Sequence, residues 1–356
     1  MTPNNSKSLS KNAKILMDYL TSNFGKKVIS GMMDLTWRDT VDEADVVYEK
    51  TGKYPALMGF DFMHIDHKNG SGTTQAERAR DWFYGDYKFR SQYTGRRGGI
   101  VAFCWHWYVP SSNGQPAFYA HSDRLPETDF RIPYIAKTDS LDEKSPEYKY
   151  IISSMDKVCE KLLWLKEQNV PVLWRPLHEA NGKWFWWGCG DKNGENRGKA
   201  LIALWKLMVN HFNSKGLDNL IWVWSGQDEE NYPGDQWVDI AGEDIYATTA
   251  DKTDLSSQKT RFDFEKKITS EKKIIALSEN GTIPDIDEMI KDKAMWSWFM
   301  TWNDMKIDEN ERPYGDTFSD SNFFAGEHFN PRQHAIKVFN HPAVITMENL
   351  DIDFER

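Results

Sequence analysis

The sequence predicts a (β/α)8 barrel, an α/β fold in which a ring of parallel strands is wrapped by helices, and three observations lead there. Eight short, nearly continuous apolar runs are spread along the 356 residues. Amphipathic stretches of helical period separate them. The polar residues able to do chemistry collect just past the ends of the runs, where the loops of such a barrel carry its functional groups.

The runs are residues 27–32, 56–62, 99–105, 171–176, 220–224, 238–245, 273–278 and 294–301. Continuous apolarity, rather than alternation, is what a parallel strand buried on both faces requires. The clearest helix is 145–168, where Ile151, Met155, Val158, Leu162 and Leu165 recur at helical spacing. Further helices are read at 40–50, 75–89, 198–213 and 331–340. A doubly wound open sheet is the rival fold, but no G-x-G-x-x-G or Walker sequence follows the first run. No repeat or low-complexity linker interrupts the chain, so residues 1–356 read as one barrel domain with 1–26 as a helical lead-in.

Composition removes several functions. A formal charge of −10 disfavours nucleic acid, whose phosphates need clustered Lys and Arg. No apolar stretch approaches the roughly 18 residues of a membrane span. The N-terminus, MTPNNSKSLSKNAK, lacks the apolar stretch of a signal peptide, so the protein is cytoplasmic, or is secreted, periplasmic or surface-bound after losing a leader. Three cysteines, Cys104, Cys159 and Cys189, specify no disulfide framework. The chain carries 16 Trp; most of them should sit in the core, but indole rings also stack on the C–H faces of sugars, so the excess points towards carbohydrate.

The strand ends hold the chemistry. The third run ends in Trp105-His106-Trp107, the fourth in Arg175-Pro176-Leu177-His178-Glu179, and the sixth in Glu243-Asp244-Ile245-Tyr246. The seventh ends in Ser278-Glu279-Asn280-Gly281 and the eighth in Trp302-Asn303-Asp304. Glu179 and Glu279, past the fourth and seventh strands, would face each other across the barrel mouth. Acetal hydrolysis needs such a pair, one carboxyl protonated to release the leaving oxygen and one ionised. Mutual repulsion and burial push their pKa values apart and supply both forms at one pH. A lone Glu at a strand end could instead cap a helix or form a salt bridge. Glu179, however, is followed closely by Trp184-Phe185-Trp186-Trp187, four aromatics that cannot all enter one core. Some should line a sugar-binding floor. Metal chemistry lacks a motif: His178-Glu179 would need a second His at position 182, which is glycine. No metal and no cofactor is expected, and Ser225 lies outside any G-x-S-x-G elbow.

The segment WRPLHEANGKWFWWG at 174–188 resembles the fourth-strand signature of glycoside hydrolase family 26, best known for endo-β-1,4-mannanases. Trp105-His106, Asp244-Ile245-Tyr246, Glu279 and Trp302 extend the resemblance in order along most of the chain. It implies retaining hydrolysis of β-1,4-mannan, with Glu179 as acid/base and Glu279 as nucleophile. It also implies that His178 supports the acid and Tyr246 hydrogen-bonds the nucleophile. His106, Trp184 and Trp302 would line the subsites. Arg175 would keep the nucleophile ionised, or serve as a salt bridge inside the barrel.

Two alternatives stay open: the same chemistry on β-1,3-xylan or mixed-linkage β-glucan, and a non-catalytic carbohydrate-binding protein. The expected partner is a polysaccharide, met by a monomer. Residues 66–75 and 303–330 are candidates for loops that decide between endo and exo action. Asn280-Gly281-Thr282 and Asn69-Gly70-Ser71 are glycosylation sequons, the first one residue past the expected nucleophile.

Overall fold

Eight parallel strands close on themselves in the computed structural model, which describes residues 9–36, 42–65, 74–86, 98–122, 125–246, 253–304 and 322–355. They are β1 (Val28–Met33), β2 (Leu57–Asp61), β3 (Ile100–Cys104), β4 (Val172–Arg175), β5 (Leu220–Trp224), β6 (Ile240–Ile245), β7 (Ile274–Asn280) and β8 (Trp298–Thr301). Each pairs with the next in sequence, and β8 pairs back onto β1 from Ile29↔Trp298 to Met32↔Thr301, which closes the ring. A short ninth strand, Val344–Ile345, lies parallel against the start of β1. The expected (β/α)8 barrel is therefore the observed fold.

Among the described residues eight α-helices accompany the strands: α1 (Lys11–Asn23), α2 (Asp42–Thr51), α3 (Gln75–Tyr84), α4 (Pro146–Glu167), α5 (Arg197–Ser214), α6 (Lys259–Ile268), α7 (Ile286–Asp292) and α8 (Arg332–Phe339); α1 precedes β1, and β5 is joined to β6 by two 3-10 turns, Glu229–Asn231 and Asp235–Trp237. The strands are buried along almost their whole length because helices cover the outside and side chains fill the inside. Helix α4 starts where its sequence says it should. The Ser145 hydroxyl accepts from the Tyr148 N–H at 3.1 Å, and Pro146 occupies a first-turn position where a missing N–H costs nothing.

The differences from the expected elements have local causes. The helix read at 75–89 ends at Tyr84 because Gly85, at φ 70°, caps it in the left-handed region; residues 87–89 lie outside the described ones. The run 294–301 pairs only from Trp298 onward. Its first half is a buried connector, where the Trp296 indole donates to the Ser257 carbonyl at 2.9 Å. Helices α6 and α7 were not expected. Between β3 and α4 the chain makes a long excursion containing the two-stranded pairing Tyr134–Ile135 with Ser140–Leu141, also absent from the sequence reading. The loop candidates 66–75 and 303–330 fall largely on residues 66–73 and 305–321, outside the described residues, as does the Asn69 sequon. No helix among the described residues is long and apolar enough to cross a membrane.

One irregularity bears on function. Strand β7 carries an extra residue against both neighbours: Glu243 faces Leu277 but Asp244 faces Glu279, and on the other side Phe299 faces Leu277 but Thr301 faces Asn280. Ser278 is the inserted residue. A bulge of this kind breaks the in–out alternation and re-aims the side chains that follow it.

Candidate active site

The C-terminal ends of β2 to β8 deliver one polar constellation to the barrel mouth. At its floor lies Arg175, the last residue of β4, buried among acids. Its guanidinium donates to Asp244 Oδ2 at 2.9 Å and makes a tight ion pair with Glu279. Arg175 is therefore a salt bridge inside the barrel that also places its guanidinium on Glu279. Two hydroxyls complete the shell of Asp244: Ser225 donates to Oδ2 at 2.8 Å, and Ser278, the bulge residue, donates to Oδ1 at 2.9 Å. Burial pushes Asp244 up to about 7, with Glu279 adding to the rise and the Arg175 guanidinium opposing it.

Glu279 receives a second donor above Arg175, the Tyr246 hydroxyl at 2.8 Å. Burial, then the charges of Glu279 and Glu179, hold the Tyr246 phenol well above its ordinary range, so it remains a donor. Opposite stands Glu179. Its backbone is left-handed at φ 52°, as is Leu177 at φ 55°, so the chain turns sharply twice on leaving β4. The turn is fixed by the Glu179 N–H donating to the Ser225 carbonyl at 2.8 Å. The Trp184 indole donates to Glu179 Oε2 at 3.0 Å. Burial and then the negative charges of Glu279 and Asp244 hold Glu179 well above the usual carboxyl range, against the opposing effects of Arg175 and Trp184. Single oxygens of Glu179, Asp244 and Glu279 all lie within 4.8 Å of one another. Three acids this close could hold a cation, and the Arg175 guanidinium already supplies a fixed positive charge between two of them.

The sugar-facing candidates spread from this centre. His106 is oriented by Asp61 at the end of β2, whose carboxylate meets both the ring Nδ1 and the His106 backbone N–H. Burial alone would raise Asp61, but the His106 ring and N–H, with the Met63 N–H, hold it below its usual range. The His106 ring lies 5.7 Å from Trp302 and 4.7 Å from His178. His178 is only 1% exposed and stands behind His106, not in the open mouth. Burial and then the Arg175 and His106 charges depress it, which leaves the imidazole neutral. Of the aromatic quartet after Glu179, only Trp184 is open, at 38% exposed. Phe185, Trp186 and Trp187 are buried, so most of the expected floor is core. Residues 118–120 pair with that segment, the Ala120 N–H donating to the Trp184 carbonyl at 2.6 Å, and Tyr119 stacks on Phe185 at 5.3 Å.

All eight residues singled out from the sequence converge on this region. Asp61, Asp244, Ser225 and Ser278 were not singled out. Ser278 ends its apolar run and Ser225 follows one directly, whereas Asp61 and Asp244 are each the last residue but one of theirs. The Asn280 sequon is not on the surface: Asn280 is buried inside β7 and donates to Thr301 Oγ1 at 3.0 Å.

Comparison with known proteins bears on the family and the fold. Residues 3–348 match the profile of glycosyl hydrolase family 26. A mannan endo-1,4-beta-mannosidase A from Piromyces sp is 32% identical over 344 residues, covering 95% of this chain and 49% of that protein. A mannan endo-1,4-beta-mannosidase from Thermothelomyces thermophilus is 35% identical over 318 residues, covering 86% of this chain and 58% of its own length. The chain thus spans about half the length of the curated relatives it matches. Among solved structures, a beta-mannanase from a symbiotic protist of the termite Reticulitermes speratus, complexed with gluco-manno-oligosaccharide, is 31% identical. It superposes with a TM-score of 0.76 over 99% of both chains.

Proposed function

The chain belongs to glycosyl hydrolase family 26, and from this premise we propose that it cleaves β-1,4-mannosidic bonds in mannan-type polysaccharide with retention of configuration. The observation that carries the mechanism is the separation of the acids. Oxygens of Glu179 and Glu279 lie within 4.8 Å of one another. An inverting pair must stand about 6.5–9.5 Å apart to admit a water, whereas a retaining pair sits at about 5–5.5 Å because the nucleophile attacks the sugar directly.

Glu179 holds its proton, since burial and two neighbouring anions disfavour its charge. It delivers that proton to the glycosidic oxygen as the bond to the anomeric carbon breaks. Glu279, fixed by Arg175 and Tyr246, attacks the same carbon and forms a glycosyl ester, and the leaving chain departs with the proton. Glu179, now a carboxylate, takes a proton from water. The resulting oxygen displaces Glu279, which regains its charge, and the two inversions sum to retention. Trp184 offers the platform for a sugar ring beside the acid. His106 and Trp302 line the reacting subsite, with His178 fixing His106 from behind. Substrate choice follows the mannanase relatives, with the described barrel as one catalytic domain acting as a monomer on polysaccharide outside the cell.

Glu279→Ala should abolish mannan hydrolysis, with azide restoring turnover as an inverted glycosyl azide. Glu179→Ala should spare the first step on an activated aryl mannoside while losing the polysaccharide. Equal losses on both substrates in both variants would overturn the assignment.

A further inference from the structure

Helix α2 lies between β1 and β2, well removed in sequence from the acids, yet its Lys50 is buried. The ammonium donates to three carbonyls of the segment between β8 and α8: Phe324 at 2.6 Å, Gly326 at 2.7 Å and Asn330 at 2.6 Å. Glu327 approaches it at 3.6 Å. Three carbonyls and a carboxylate around one positive charge resemble the shell of a bound cation, with a side chain in the ion's place. A buried amine must be satisfied in this way or it destabilises the fold.

The same segment is held from two other sides. Asp304 accepts from the Phe324 N–H at 2.8 Å and the Ala325 N–H at 2.6 Å. Asn330 donates to the carbonyls of Gly281 and Phe323, both at 2.7 Å, and accepts from the Ile283 N–H at 2.9 Å. Asn330 holds Phe323 through its carbonyl, and Lys50 and Asp304 hold the backbone that follows it. Phe323 packs on Tyr246 with ring centres 5.3 Å apart, and Tyr246 donates to Glu279. Gly281 allows this contact: a Cβ there would stand 3.1 Å from Phe323 and 3.2 Å from Tyr246. Contacts thus lead from Lys50 through the backbone at Phe324 to Phe323, Tyr246 and Glu279.

We propose that Lys50 is a positioning residue for the reaction: by gathering the carbonyls of 324, 326 and 330 it sets Phe323 against Tyr246 and so aims the Tyr246 hydroxyl at Glu279. The proposal rests on the reading of Glu279 as nucleophile. Lys50→Met keeps the length of the side chain and removes the charge that gathers the carbonyls. Its kcat on mannan should fall about tenfold with KM near the wild-type value, since the aim of a transition-state donor changes and the sugar platform does not. Tyr246→Phe should cost more, and the double variant should be no slower than Tyr246→Phe alone, because both act through one hydroxyl. Hydrogen exchange should rise in residues 322–330 and 240–246 of Lys50→Met.

Multiplying losses in the double variant, or unchanged kcat and exchange in folded Lys50→Met, would overturn the proposal. If wild type fails on mannan, the proposed function falls, while the exchange measurement still decides for or against the clamp. Should Lys50→Met not fold, Phe323→Leu tests the same contact and should show the same dependence on Tyr246.

Discussion

Gly242 lies on β6 directly beside the bulge of β7, and replacing it with alanine tests whether the bulge sets the position of Glu279. A Cβ at 242 would stand 3.0 Å from Ser278 Cβ and 3.3 Å from Val223 Cγ1, and nearer still to Ser278 Oγ. Ordinary contact begins near 3.4 Å, so Ser278 must retreat by about 1 Å and lose its 2.9 Å bond to Asp244. Overpacking of this kind costs about 1–3 kcal/mol of stability. The kinetic cost should be larger, because the residue that moves is covalently next to Glu279, and a misplacement of about 1 Å costs on the order of 100-fold in rate. Gly242→Ala should therefore melt only modestly earlier than wild type while kcat on mannan falls on the order of 100-fold. Adding Ser278→Ala removes the hydroxyl that clashes and should return about tenfold of the loss, leaving the deficit of one hydrogen bond. A folded Gly242→Ala enzyme within about twofold of wild-type kcat would refute the link between the bulge and Glu279.

Two more outcomes follow from the buried charges. Arg175→Lys keeps a positive charge but loses the planar fork that meets Asp244 and Glu279 together; kcat should fall about 100-fold with little change in KM, and a loss under about threefold would contradict the bridging role. Glu265 on α6 is buried with neither carboxylate oxygen hydrogen-bonded among the described residues, and burial pushes it up to about 8, with Arg261 opposing and Asp244 reinforcing. A raised folded-state pKa gives stability that is complete below the unfolded value of 4.5 and is lost as pH rises through about 8. Glu265→Gln should therefore melt near wild type at about pH 5 and several degrees higher at about pH 9, and a pH-independent difference would count against it.

The barrel was legible because its strands are buried on both faces and so appear as unbroken apolar runs; β5 was read to the residue. The ends were less legible where apolarity outlasts pairing. Trp296 is as buried as Trp298, and sequence does not say which of them joins the ladder. Helices α6 and α7 were missed because they are short and rich in charge, with thin apolar stripes. In the site, a carboxylate beyond a buried run marked Glu179 and Glu279 as candidates, and the aromatics after Glu179 and the family resemblance gave the pair its weight. Asp61 and Asp244 lie within their apolar runs rather than beyond them, and their importance lies in what they hold. The bulge had no signal at all, since an inserted Ser278 looks like any other residue until two neighbouring strands supply a register. The aromatic quartet misled for a related reason: a loop that folds back on the barrel can bury three large rings in succession.

The hydrogen bond from Trp184 to Glu179 makes the two oxygens of that carboxyl inequivalent. The indole N–H can only donate, so Oε2 is committed as an acceptor throughout the proposed cycle. The mobile proton then belongs to Oε1. Both halves of the reaction, protonation of the departing sugar and deprotonation of the incoming water, must use that one atom. The handedness of proton delivery, meaning the side of the sugar ring plane from which the glycosidic oxygen is approached, is thereby set by the same indole that we propose as the sugar platform.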